Sequence, residues 1–346
     1  MITIKDIARE TGLSPATVAR ALGGTGPVRP ETRNIVRDAA ARLGYVASSA
    51  ARSMRNQSSN MVGLIMPDVV NRFYSEMAQA IAAACDERGL HFLLALTNDD
   101  AERELRQMRT MVAARAAAVA LVPGPQTHLD MAALSRLQPF TQLVRKSDRL
   151  SSDWFGFEEA GGIEAATLHL IDLGHRNILL VCSGDRYSTG SARQRGYLAA
   201  FALRGLRADP DLIRAGAPTV EHAHKAMADV PPRVTAIIAA GTLLTEGVVD
   251  VVTERGLSVP ADLSIVGFGI ENWHRWWSGG MTRIVPPVEI LAESCAQHLL
   301  TQIGETVISD PGPLRAIEHA TRLETGATTA PLPLAGSVGP GQSVLQ

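Results

Sequence analysis

Apolar positions in the first 22 residues fall on the inner faces of two short helices. Ile7, Ala8, Leu13, Val18 and Leu22 point inward, leaving Ala16, Thr17 and Arg20 outward. Thr3 with Asp6 three positions on is a capping-box pattern. Gly12 suits the left-handed turn that ends a helix, Ser14 caps the next, and Pro15 fits its first position. Ala16 and Arg20 then share one stripe at i, i+4. A third helix opens at Pro30-Glu31, repeats Ile35, Ala39 and Leu43, and stops at Gly44. Tyr45 either closes the small core or touches a phosphate. The first two helices form a helix-turn-helix, whose second member lies in the DNA major groove. An ordinary helical hairpin is the competing reading.

Residues 46–59 are polar and small, with room for a two-turn helix over Ala-Ala-Arg-Ser-Met-Arg. Alone in water such a helix is marginal, which makes the stretch an order–disorder element or a plain tether. From Met61 the pattern alternates. Strands are expected at 61–66, 91–97, 118–123, 140–145 and 154–157, with helices at 73–88, 102–114 and 129–137. A second series has strands at 177–182, 236–240 and 263–268, and helices at 163–173, 192–203, 221–228, 246–255 and 288–303. This predicts an all-α head followed by an α/β core of two doubly wound parallel-sheet subdomains. Ligands of such sheets bind beyond the strand C-terminal ends, in a cleft between the halves.

The expected boundaries are a head at 1–45, a hinge and linker at 46–59, and a core at 60–329. Within the core, one subdomain takes about 60–160 and 289–319, the other about 161–288 and 320–329. Residues 330–346 repeat Pro and Gly and read as a disordered tail.

Charge sharpens this picture. Residues 1–60 hold nine Lys/Arg against four Asp/Glu, a charge of +5, whereas the remainder carries −7. A basic head on an acidic body suits a polyanion-binding head. No run is long and apolar enough for a signal peptide or a membrane span, so a cytoplasmic, nucleoid-associated protein without a membrane partner is expected. Cys85, Cys182 and Cys295 lie far apart in apolar contexts and read as buried thiols. The chain lacks a P-loop, a Gly-x-Ser-x-Gly elbow, a dinucleotide fingerprint and paired-histidine spacing. Catalytic residues, metal ligands and cofactors are therefore not expected. His175 in Leu-Gly-His reads as structural.

The order of parts resembles the lactose/galactose repressor (LacI/GalR) family of bacterial transcription regulators. In the head, Thr3-Ile-Lys-Asp-Ile-Ala8, Leu13-Ser-Pro-Ala-Thr-Val-Ala-Arg-Ala-Leu22, Leu43-Gly-Tyr45 and Ala51-Arg-Ser-Met54 carry the resemblance. In the body it rests on Gly63-Leu-Ile-Met-Pro-Asp68, Leu173-Gly-His175, Arg193-Gln-Arg-Gly-Tyr197 and Val259 to Phe268. The resemblance implies a homodimer, each head reading half of a near-palindromic double-stranded operator. It implies base contacts from Ala16 and Arg20, since Arg pairs bidentately with guanine and Ala packs on a thymine methyl. Ser14, Thr17 and Thr3 would sit on phosphates, Pro15 opens the reading helix, and Arg52 belongs to the hinge. Met54 stands where the family wedges a leucine into the minor groove. Ala47 and Ser48 replace the usual Pro and Asn at the hinge start.

Similarity also places Asn71, Phe73, Arg145, Arg193, Gly241, Gly269 and Trp273 in a small-molecule effector cleft. Arg193 keeps the family's effector-contacting arginine. Three family carboxylate or amide positions instead read Arg145-Lys146, Gly241-Thr242 and Gly269. Guanidinium forks match carboxylate and phosphate, so the effector expected is a sugar or an anionic sugar derivative such as a sugar acid or phosphosugar. In the competing reading Arg145 pairs with Asp148 or Asp153. One of Trp273, Trp276 and Trp277 either stacks on the ligand or packs a loop or dimer contact. A ligand-responsive repressor is the function implied. A solute-binding protein and a sugar-modifying enzyme are the rivals.

Overall fold

The computed structural model describes residues 2–23, 27–45, 59–269, 278–303 and 313–332. The hinge with Arg52 and Met54, the loop with Trp273, Trp276 and Trp277, and the tail from 333 lie outside them. Two compact units divide after Asn60.

The first unit holds α1 (Ile4–Thr11), α2 (Pro15–Gly23) and α3 (Pro30–Arg42). Gly12, at φ 68, ends α1 in the left-handed region that favours glycine. Ile7, Ala8, Val18, Ala21, Val36, Ala39 and Ala40 are buried together, with Leu13, Leu22, Leu43 and Tyr45 packed around them. One expectation fails here. Ile35 is 54% exposed, and the core stripe of α3 is Val36, Ala39, Ala40 and Leu43. A stripe taken every four residues drifts around a helix of 3.6 residues per turn, so the third and fourth neighbours must alternate.

The second unit has two six-stranded sheets. In the first run β1 (Met61–Met66), β2 (His91–Leu96), β3 (Ala118–Leu121), β4 (Phe140–Leu143), β5 (Asp153–Phe157) and β11 (Ala316–His319). They are ordered β11-β5-β4-β3-β1-β2 and are all parallel. The second sheet is β12-β10-β9-β8-β6-β7. Its strands are β6 (Ile178–Ser183), β7 (Ile213–Gly216), β8 (Ala236–Ala240), β9 (Ser264–Phe268), β10 (Thr282–Val285) and β12 (Arg322–Glu324). Only β12 is antiparallel there, against β10. The chain passes between sheets after β5, after β10 and between β11 and β12.

The helices are α4 (Arg72–Asp86), α5 (Ala101–Ala113), α6 (Met131–Leu134), α7 (Glu159–Asp172), α8 (Ser188–Leu203), α9 (Val220–Ala228), α10 (Thr242–Glu254) and α11 (Val288–Gln302). Central strands such as β8 are buried along their whole length, as helices on both faces require. A Cβ on Gly196 would fall 2.1 Å from the Ala160 carbonyl oxygen. That close approach of α8 to α7 accounts for the glycine of Arg-Gln-Arg-Gly-Tyr. The next residue, Tyr197, is fully buried and donates its hydroxyl to the Ile178 carbonyl at 2.7 Å.

Strands β7, β10, β11 and β12 were not read from the sequence. Each has only three or four residues, too few for a clear period. Helix α6 is a single turn rather than the nine residues expected. Helices α7, α8 and α10 each begin four residues earlier than apolar periodicity suggested. Their first turns face the strand ends, where Gly, Ser, Thr and Glu replace an apolar stripe. His175 joins Thr235 through Nδ1 (2.9 Å) and the Ala330 carbonyl through Nε2 (3.1 Å), an internal tie. All three cysteines are free and buried.

Candidate functional site

In the first unit, Asp6 accepts both the backbone N–H (2.9 Å) and the hydroxyl (2.7 Å) of Thr3. These bonds draw its carboxyl below the usual carboxylate range. At the start of α2, Ser14 Oγ accepts the Thr17 N–H at 3.1 Å, the local bond that stops the turn and starts the helix. Ser14, Pro15, Ala16 and Arg20 are exposed on one face, Thr3 is exposed at the start of α1, and Thr17 is half-buried. Arg20 Nε–H rests on the Ala16 carbonyl at 3.3 Å. Arg9 and Arg42 face Asp6 and Glu10, whereas Arg20 is in no ion pair among the described residues. A lone cation beside a small apolar residue on an exposed helix face matches what a major-groove contact needs.

In the second unit, a cavity of about 260 Å³ lies at the C-terminal edge of both sheets. Asn71, Phe73, Arg145, Arg193 and Gly241 all line it. Five residues separated by up to 170 positions thus meet in one place. Asn71 caps α4 by accepting the Phe73 N–H at 3.1 Å, and Asp68 accepts the Asn71 N–H at 2.8 Å. Phe73 packs edge-on against Tyr74 (5.4 Å) and Phe157 (5.7 Å). Phe157 meets Phe268 of the other sheet at 6.2 Å, so an aromatic floor spans both halves.

Both arginines are paired with a carboxylate, and Arg193 has its whole fork engaged. Arg193 is buried and holds Glu159 through Nε (2.6 Å) and Nη2 (3.1 Å), and its Nη1 donates to the Ala240 carbonyl at 2.7 Å. Its face lies over the Phe268 ring at 4.7 Å. Burial pushes the Glu159 carboxyl up, against the downward pull of Arg193. Arg145 is also buried, and its Nη1 donates to Asp99 at 2.5 Å. It stacks on Tyr187 at 4.7 Å, whose hydroxyl donates to the same carboxylate at 3.3 Å. The competing reading of Arg145 paired it with a local acid such as Asp148 or Asp153. The acid it meets is instead Asp99, in the turn after β2, while Asp153 takes His298 at 2.7 Å. The expected surplus of cleft guanidinium charge is therefore already matched by Asp99 and Glu159.

Gly269 follows Phe268 but does not line the cavity. Its N–H and carbonyl are used by Ile284 and Arg283. Thr242, read from the sequence beside Gly241, lines it too, and so do Asp68, Asp99, Ser183 and Thr189, which were not singled out from the sequence. Asp68 ends a motif that was read, and Asp99 lies in the Asn-Asp-Asp run after β2. The others left no signal beyond their places just after strands.

Comparison with known proteins decides the family. Residues 3–48 match bacterial regulatory proteins of the lacI family, and residues 167–329 match the periplasmic binding protein-like domain. The HTH-type transcriptional regulator DegA of Bacillus subtilis (strain 168) is 30% identical over 295 residues, covering 83% of this chain and 87% of that protein. This chain belongs to the LacI family. Among solved structures, the lac repressor dimer bound to operator and the anti-inducer ONPF superposes with a TM-score of 0.78 at 21% identity, covering 95% of this chain and 99% of that one. The transcriptional regulator CelR–cellobiose complex gives 0.70 at 23%, covering 95% and 100%. At those identities the structures speak for the fold, an N-terminal helix-turn-helix followed by two parallel-sheet α/β subdomains. As a LacI-family member the chain is a DNA-binding transcriptional regulator, and its relatives are regulators rather than enzymes. Among the described residues, no helix is long and apolar enough to cross a membrane.

Proposed function

We propose that this LacI-family regulator is a homodimeric repressor that reads an operator with α2 and answers to a sugar-sized effector in the core cavity. Ala16 and Arg20 take the base edges, while Thr3, Ser14 and Thr17 hold the phosphates. Effector binding changes the angle between the two sheets about the three strand crossings, and this biases DNA binding. A coupling of only about 1–3 kcal/mol would change operator affinity measurably.

The observation that carries the reading is the presence of both halves in one chain. An exposed, capped helix carries an arginine outside any described ion pair, and a cavity between two sheets joins an aromatic floor to hydrogen-bonding walls. Aromatic faces suit the apolar faces of sugar rings, and Asp68 and Asn71 suit their hydroxyls. Similar solved structures support this: one is a regulator's cellobiose complex and another a repressor's operator complex.

A gel-shift assay with fragments from the neighbouring genome tests the DNA half. One fragment should bind far better than random duplex, and a sugar should alter that binding. Equal affinity for every fragment would overturn the proposal.

A further inference from the structure

We infer that the effector carries an anionic group, a carboxylate or phosphate, seated on the N-terminus of α10 beside Ser183. This rests on the effector reading above and names the ligand class of that same cavity. The Arg193 fork is taken up by Glu159 and the Ala240 carbonyl, and the charge of Arg145 is already matched by Asp99 through Nη1. The α10 end can be its seat.

Helix α10 runs for 13 residues and has no side-chain cap. Its N-cap is Gly241, at φ 155, in backbone space that favours glycine. A Cβ there would lie 3.4 Å from Arg193 Nη1 and 3.3 Å from Leu244 Cδ1. The position is thus built to stay bare, and the first-turn N–H groups of Thr242, Leu243 and Leu244 have no acceptor within the helix. All three residues line the cavity. Thr245 fixes this end: its hydroxyl accepts the Phe268 N–H at 2.9 Å and donates to the Gly241 carbonyl at 2.9 Å.

Ser183 supplies an independent sign. It is 1% exposed, lines the same cavity, and its Oγ has no hydrogen-bond partner. It follows Cys182, which pairs with Ala240, and so stands level with Gly241. A buried hydroxyl left unpartnered is costly unless a ligand completes it. Converging N–H groups, the positive end of a helix dipole and a hydroxyl donor together suit an oxyanion. Asp68 and Asn71 come from the other sheet, where they would take neutral hydroxyls. A sugar acid or sugar phosphate has both kinds of end.

Inorganic phosphate probes the subsite directly. Thermal unfolding of the full chain is compared in sodium phosphate, up to about 50 mM, and in sodium chloride of equal ionic strength. Phosphate should raise the midpoint of the wild type. Thr242→Asp, which places its own carboxylate in the first turn, should lose most of that rise. Calorimetry with hexose 6-phosphates and hexonic acids against their neutral parents completes the test. An acidic member should bind at least tenfold tighter than its parent, and Ser183→Ala should weaken it roughly tenfold. Equal binding of acid and parent would overturn the inference. So would a phosphate effect that survives Thr242→Asp, or no effect of any anion. Gel shifts run in parallel separate the two claims. Operator binding that persists without an anion effect removes only the anionic group, whereas loss of operator selection removes the wider reading.

Discussion

On α2, Arg20 stands exposed, its Nε–H on its own helix's carbonyl. In the core, Arg193 is buried between a carboxylate and an aromatic ring. The first is available to a partner of opposite charge. The second is consumed by its own fold and helps to shape a cavity. The regions around them differ in the same way. The reading face draws on residues 14–20, one local run with its cap and turn. The cavity draws on strand ends and helix starts scattered from Pro67 to Phe268. The same side chain thus serves recognition where sequence neighbours leave it exposed, and architecture where distant segments close over it.

Removing Glu159 should sharpen this contrast most. Glu159→Ala leaves Arg193 buried without its carboxylate, and breaking a buried pair from one side costs about 3–5 kcal/mol. The denaturation midpoint of the core should fall accordingly. A shift as small as that of a surface mutant would mean that water reaches Arg193 and that the two arginines are alike.

Glu104 gives a second, pH-dependent handle behind the cavity. It is 1% exposed, with Oε2 accepting the Gly124 N–H at 2.7 Å and Oε1 unpartnered. Burial pushes its carboxyl up to about 7, against the pull of that N–H. An acid whose pKa rises on folding favours the fold when protonated. Its contribution is complete below the unfolded value near 4.5 and fades as pH climbs to about 7. Glu104→Gln should remove a loss of order 2–3 kcal/mol across that window, seen as a flatter profile of unfolding midpoint against pH. An unchanged profile would show that Glu104 is ionised in the fold.

Arg20→Ala should leave the thermal midpoint in place and cost about 1–3 kcal/mol of operator discrimination, read as a fall in affinity for the selected fragment with random duplex little changed. A uniform loss on all duplexes would instead assign Arg20 to a phosphate. The smallest effect is expected from Ser14→Ala. Losing that cap should cost about 1 kcal/mol, visible as earlier loss of helical signal from the head.

The head was largely legible because its information is local. Thr3, Gly12, Ser14 and Pro15 mark helix ends through their own backbone chemistry, and Val18 and Ala16 separate inside from outside over one turn. Even there, Ile35 shows that a periodic stripe locates a face only to within one residue. In the core, alternating apolar runs and polar turns gave the longer strands and helices. The starts of α7, α8 and α10 were set too late, since the first turns at the strand ends follow the needs of the cavity rather than apolar packing. That error hid Glu159 and Thr189 together.

By itself the sequence determined the longer helices and strands, the tandem doubly wound plan and the outward stripe on α2. These follow from hydrogen bonding and hydrophobic period within short windows. Only the tertiary structure decided that Arg145 belongs to Asp99 and Arg193 to Glu159. It alone also showed that α10 ends bare beside an unpartnered Ser183. Charge pairing depends on distance in space, and residues 46 or 34 positions apart become neighbours only when the sheets and their connecting loops close.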